Sequence, residues 1–411
     1  MLAKNIFKNV MPVIFILATI IGCEYEGPTE VWDPDQPGKI PAPVITSVIP
    51  ENVAAAGINE IKLVGQNFSP TPAENLIYVS GVKVPVKTAS NNELAIYRPN
   101  FYGENLTIKL VVKGALEVAE YSPYAIERIG DDYGSFSSQD LIKAFDFDAE
   151  GNLFAYVAGK IIYKVPPEGV KTLYISNSLR TTDDLKVGPG GVLYLSRNTN
   201  GLYKVSLENP GGVKTPSLPG TVNKFDFDEK GNIFCGGSSG GLIVLNPDES
   251  SRSVFPFPNY EILAVRIFNG FVYYVAEYDG KAEGVIPMGI WRNKITSDDG
   301  EVAEQELVLD WTTSGIFAET QPLDFTFAAD GVMLIATDGG EENLLDPILM
   351  LSPDGKMDPF YPNGILTAPV EKIVWGNGEN LYLFCSGSMA NRKVLQLKMS
   401  RPGAPYYGRL L

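Results

Sequence analysis

The chain has 411 residues, 45% of them hydrophobic, with 41 Gly, 30 Pro and a formal charge of −16 at neutral pH. That acidity excludes a nucleic-acid partner, whose phosphates require a basic footprint. No histidine is present, which removes every mechanism built on imidazole and leaves carboxylate, Lys, Tyr or oxygen-ligated metal chemistry.

Residues 1–22 read as a secretory leader: Lys4 and Lys8 precede an apolar run from Val10 to Ile21 that is too short to span a bilayer. Ile20-Ile21-Gly22-Cys23 resembles the lipobox of bacterial lipoproteins, although Ile20 stands where Leu is commonest. The resemblance implies cleavage before Cys23, acylation of that cysteine and a lipid anchor in a bacterial outer membrane. Residues 23–41 carry Glu24, Glu26, Glu30, Asp33 and Asp35 among Pro28, Pro34, Pro37 and Pro41, a composition that predicts an extended charged tether. An acidic stretch directly after the lipid cysteine resembles the surface-export signals of Bacteroidetes-type lipoproteins, while plain solvation accounts for the same charges.

Residues 42–127 predict a small β-sandwich. Pro43 to Pro50 reads P-V-I-T-S-V-I-P, and Leu63 to Phe68 reads L-V-G-Q-N-F after Gly57. These stretches resemble the opening of IPT/TIG immunoglobulin-like domains, departing from it where two adjacent glycines are common and only Gly57 stands here. Strands are expected at Ile77 to Val79, Val82 to Val86, Glu93 to Tyr97, Leu106 to Val112 and Val118 to Tyr121. The resemblance implies a spacer or presenting module and carries over no catalytic residue.

Residues 128–411 repeat one unit. K-A-F-D-F-D-A-E-G-N-L-F from Lys143 returns as K-F-D-F-D-E-K-G-N-I-F from Lys224. A turn glycine and a following aromatic or apolar residue recur as Gly151/Phe154, Gly191/Tyr194, Gly231/Phe234, Gly270/Tyr273, Gly331/Leu334 and Gly378/Tyr382. Short alternating strands at a period of roughly 40 residues are the mark of propeller blades. The fold class is therefore all-β, an Ig-like sandwich followed by a six-bladed propeller. The D-x-x-G-N-[LI]-F repeats resemble NHL and regucalcin-like propellers, with no Trp-Asp signature. The sixth repeat shows three strands, and its fourth is expected from Tyr406 to Leu411. Cys235 and Cys385 fall on opposite blades, beyond disulfide reach.

The ligand face of a propeller carries the loops between second and third strands and between blades. Two of these loops are long, Glu277 to Glu283 and Thr337 to Asp346, and the first contributes Glu277, Tyr278 and Asp279 while the second contributes Glu341, Glu342 and Asn343. Asn177, Arg180, Asn198, Tyr260 and Tyr361 join them on neighbouring loops. Aromatic platforms beside carboxylates and amides suit a sugar, whose ring stacks while its hydroxyls are satisfied at the rim. An extracellular glycan is the favoured ligand and a surface protein the next. The resemblance to regucalcin-like lactonases offers a metal-dependent hydrolase or lyase as the rival; calcium is the cofactor it leaves open, and no residue is assigned as a metal ligand. In the innermost strands one position reads Asp146, Lys186, Asp226, Arg266, Thr326 and Val374, an alternation of charge that predicts an ion-pair ring around the central channel.

Overall fold

The computed structural model describes residues 40–340, 345–362, 364–389 and 392–411. The leader, Cys23 and the tether, as well as Glu341, Glu342 and Asn343, lie outside the described residues.

The described residues form eight sheets. Two of them make the N-terminal sandwich: Val44–Ile49, Glu60–Gln66, Glu93–Tyr97 and Val86–Ala89 face Val53–Ala54, Ala119–Ile126, Gly103–Val112, Asn75–Val79 and Val82–Val84. Alternation along Glu60–Gln66 turns Ile61 and Leu63 inward, where they meet Ile77, Leu94, Ile108 and Leu110, all fully buried. The L-V-G-Q-N-F stretch has a mechanical reason. A side chain at Gly65 would collide with the Val44 carbonyl 1.8 Å away. Asn67 takes a φ of 62° and donates from Nδ2 to the Ala42 carbonyl, while Phe68 enters the core. The single strand expected from Val82 to Val86 is instead two strands in different sheets. Pro85 separates them, because it lacks the N–H that a continuous ladder needs.

The other six sheets have four strands each and are the propeller blades. Their inner strands are Ile142–Phe147, Asp184–Val187, Lys224–Phe227, Tyr260–Phe268, Pro322–Phe327 and Val370–Trp375. Each lies beside the next in this order, and the sixth returns against the first, so the ring closes around a central channel. The repeated D-x-x-G-N turn is explained by Asp148 and Asp228. Each carboxylate accepts the backbone N–H and the Nδ2 of the Asn four residues later, while Gly151 and Gly231 supply φ of 84° and 83°.

Blade six corrects the expectation for its fourth strand. That strand is Asp131–Asp132, from the start of the propeller, paired with Gln396 and Leu395. Tyr406–Leu411 goes to the hub instead, with a short helix at Tyr407–Leu410. The tail reaches it through Ala404, whose N–H donates to the Phe327 carbonyl, and its end accepts the Gly190 N–H at the Leu411 carbonyl. Gly190 lies in the turn between the first two strands of blade two, so the tail closes the channel on the face opposite the blade-to-blade connections. A side chain at Gly408 would stand 2.6 Å from the Val187 carbonyl. The physical reason for this route is charge and shape: the hub holds the carboxylate of Asp146, and the tail brings Arg409 to it.

The two domains are docked. Lys87 of the sandwich pairs with Asp358 of blade five at 3.0 Å, and the Gly57 N–H donates to the Lys398 carbonyl of blade six. Gly57 lies so close to Met399 that a Cβ would sit 2.1 Å from its carbonyl oxygen, which gives this lone glycine its role. Arg98 is buried at the junction and donates to the carbonyls of Ala54, Ala55 and Glu127. Those backbone acceptors satisfy a cation that has been taken out of water.

Candidate functional site

The face carrying the blade connections is the upper face. On it a cavity of about 530 Å³ lies between blades three and four. Its walls come from Ser238 to Gly241, the turn between second and third strands of blade three, from Pro256 to Glu261, and from Asp279. Phe257 and Tyr260 stack face to face with centroids 3.9 Å apart and planes at 4°, and Tyr278 packs on Tyr260 at 5.0 Å. Phe257 is buried and Tyr260 half-buried, its hydroxyl donating to the Ile286 carbonyl. The Asp279 N–H donates to the Asn259 carbonyl, which draws the long blade-four loop onto the cavity edge.

Tyr260, Tyr278 and Asp279 are thus brought together. Glu277 stands directly across the strand pair from Glu261. Asn223 donates to Glu261 at 2.7 Å and Gln321 to Glu277 at 3.3 Å. Gln321 also donates its N–H to Asp338, so one residue bridges the long loops of blades four and five. Asn198 reaches the same region, accepting from the Ser238 hydroxyl at 3.2 Å. Asn177 and Arg180 are exposed above the junction of blades one and two, away from this cavity's lining.

Tyr361 is a correction. It is fully buried, not presented to a ligand, and its hydroxyl donates to the Ala56 carbonyl of the sandwich. Its N–H donates to Asp346, which also accepts from the Ile348 N–H. Burial pushes the Asp346 carboxyl up to about 7, against the pull of these amides. The aromatic residue chosen from sequence as a sugar platform is a domain-docking residue, because the connection that carries it is covered by the sandwich.

The channel holds two ionic layers. In the lower layer Asp226 lies between Arg266, at 2.5 Å, and Lys186, at 4.0 Å. Asp146 differs from expectation: its counter-ion is Arg409 of the tail, and it also accepts the Val187 N–H. The Tyr406 ring completes the layer, 3.4 Å from the Arg266 guanidinium, 4.1 Å from that of Arg409 and 5.0 Å from the Lys186 ammonium. Its hydroxyl is 2.9 Å from Thr326 Oγ1. Val374 contributes only apolar surface at its place in the ring.

The upper layer was missed by the sequence reading. Lys372 pairs with Asp184 at 2.8 Å and with Asp324 at 3.5 Å, and Lys224 donates to the Asp183 carbonyl at 2.7 Å. Burial alone raises the Asp184 carboxyl, but Lys372, Lys186 and Lys224 outweigh it and hold the group below its ordinary range. The signal was present: two residues before the aligned position the inner strands read Ala144, Asp184, Lys224, Ala264, Asp324 and Lys372.

Among the described residues no group of three or more His, Cys, Asp or Glu side chains is placed to hold a metal. The acidic turn of Asp298, Asp299 and Glu301 is engaged by Lys230 and Arg252. Cys235 and Cys385 are both buried and free, and burial pushes the Cys385 thiol up to about 12.

Sequence comparison decides one part of the chain. Residues 43–125 match the IPT/TIG domain. The docked sandwich is this IPT/TIG unit, and the G-x-N-F turn described above lies within the matched residues. No curated protein matches the chain. Among solved structures the chain is similar to an auxiliary nutrient binding protein of Bacteroides thetaiotaomicron, with 13% identity over 89% of this chain and 98% of that one and a TM-score of 0.48. It is also similar to an auxiliary nutrient binding protein of Bacteroides ovatus, with 11% identity over 87% and 98% and a TM-score of 0.45. A β-propeller domain from Myceliophteria thermophila shares 9% identity over 73% and 94%, with a TM-score of 0.42. None of these likenesses assigns a ligand to the cavity.

Proposed function

We propose that the protein is a lipid-anchored, outer-membrane surface protein that binds an extracellular glycan in the cavity between blades three and four. The observation that carries this reading is the pairing of an aromatic wall, the stacked Phe257 and Tyr260 with Tyr278 packed on Tyr260, with a polar rim of Ser238, Ser239, Asn259, Glu261 and Asp279. Sugar rings offer an apolar face to such a wall and hydroxyls to such a rim. The cavity lies off the propeller axis, and the channel itself is filled by ion pairs and by the tail.

A glycan array followed by calorimetry on the mature chain tests the reading. Asp279→Ala, an exposed change at the rim, is expected to weaken the selected oligosaccharide by about tenfold, the loss of one good polar contact worth roughly 1.4 kcal/mol. Tyr278→Ala should weaken it similarly, with the melting temperature of Asp279→Ala unchanged. Parent-like binding by both variants places the ligand elsewhere.

The anchor rests on Ile20 to Cys23 and the acidic, Pro-rich residues after it. Cys23→Ser is expected to move the protein from the membrane fraction to the soluble fraction. A variant that pellets with membranes as the parent does would end the lipoprotein reading.

A further inference from the structure

The upper face is electrically divided. Over blade four stand Glu261, Glu277 and Asp279, while over blades one and two stand Lys143, Lys160, Arg180 and Arg197. The backbone gathers these four cations. The Ser178 N–H donates to the Lys160 carbonyl, which brings the connection bearing Arg180 onto the turn bearing Lys160. The Asp183 N–H donates to the Ser196 carbonyl, which sets Arg197 beside the start of blade two. Lys143 occupies the bulge at the upper end of the inner strand of blade one.

None of the four makes an ion pair among the described residues, in a chain whose net charge is −16. An exposed lysine without a partner is ordinary, and Lys143, Lys160 and Arg180 are exposed. Arg197 is different. It is half-buried, its Nε is shut off from water with no acceptor, and its guanidinium leans towards the Tyr203 ring at 5.8 Å. A buried N–H without an acceptor is costly, so this side chain is not held in place by solvation alone. The neighbouring hydroxyls of Ser178 and Thr199 also lack partners. Asp183 stands among them, its carboxyl raised by burial and pulled down by Lys224, Arg197 and Lys143.

We infer that the upper face of blades one and two receives the anionic group of an acidic glycan, a uronate carboxylate or a sulfate ester, with Arg197 as the anchor and Arg180, Lys160 and Lys143 around it. A guanidinium offers planar paired donors that match either oxyanion, and the flanking ammonium groups add charge without further geometry. The inference rests on the glycan reading, and it extends the site: Asn198, next to Arg197, contacts Ser238 on the wall of the aromatic cavity. A chain lying across the face would place a ring against Tyr260 and an acidic residue on Arg197. Four cations make too small a footprint for a nucleic acid, which keeps the charge argument consistent.

Calorimetry with oligogalacturonate, its methyl ester and a sulfated oligosaccharide, each at two salt concentrations, tests the inference. The parent is expected to bind an acidic oligosaccharide at least tenfold more tightly than the neutral ester, with affinity falling as salt rises. Arg197→Ala and the exposed change Arg180→Ala should each remove most of that preference. If Arg197→Ala fails to fold, Arg180→Ala and Lys160→Ala together carry the test. Equal binding of acid and ester, or parent-like acid binding by the variants, overturns the inference. Should neutral oligosaccharides bind in an Asp279-dependent way while acidic ones show no advantage, the inference falls and the glycan reading stands. Binding of neither class overturns both.

Discussion

Asp226→Ala is expected to lower the unfolding free energy by about 3–5 kcal/mol, the usual cost of removing one partner from a buried ion pair. Two cations lose their counter-charge at once: Arg266, 1% exposed, and Lys186. The carboxylate also accepts the Ile267 N–H, which would be left without an acceptor. For a domain of this size the loss corresponds to a melting temperature roughly 6–15 °C lower. The pH dependence supplies a second readout. Burial raises the Asp226 carboxyl, but Arg266 and Lys186 overcome it and the group sits below its ordinary range. A carboxyl depressed in the folded state contributes stability above its unfolded value, and that contribution is lost as pH falls through the folded value. The parent should therefore lose stability on strong acidification, and Asp226→Ala should lose less over the same range. A variant as stable as the parent, with the same acid limb, would show that the hub ion pairs do not hold the ring together.

Arg409→Ala is expected to be comparably damaging, although the residue is the third from the end of the sequence. It strands Asp146, which is fully buried and makes no other ion pair among the described residues, and it removes a donor to the Trp375 carbonyl at 2.7 Å. The tail works as a hub clamp. Ala404 bonds to blade five, Arg409 to blades six and one, Leu411 to blade two, and Tyr406 stacks on the arginine of blade four. By contrast, the strand that closes the ring at its outer edge has two residues. The double variant Asp146→Ala/Arg409→Ala should recover part of the loss, because no buried charge is left alone in it. Tyr406→Phe, which keeps the ring over the cations and gives up only the contact to Thr326, should cost about 1 kcal/mol. Thermal melts of the four proteins decide the matter. If Arg409→Ala melts with the parent, the tail is an appendage and blade closure rests on Asp131–Asp132.

The repeats, the turn grammar and the sandwich were legible in the sequence because each is written in contiguous residues. D-x-x-G-N folds as a turn through contacts four residues apart, L-V-G-Q-N-F through one close approach and one left-handed Asn, and the blade strands through alternation. The charge alternation at Asp146, Lys186, Asp226 and Arg266 was readable for the same reason, since an aligned repeat gives the ring position directly. What only the tertiary structure decided are contacts between distant segments. Arg409 meets Asp146 across 263 residues and Lys372 meets Asp184 across 188, and neither pairing has a local signature. Strand period shows which residues face inward, but it does not say which end of the chain fills a blade edge and which fills the hub. That choice follows from where unpaired charge and empty volume remain once the ring has closed. Tyr361 illustrates the same limit: a loop aromatic looks ligand-facing until another domain covers it, and the covering surface lies some 300 residues earlier, at Ala56.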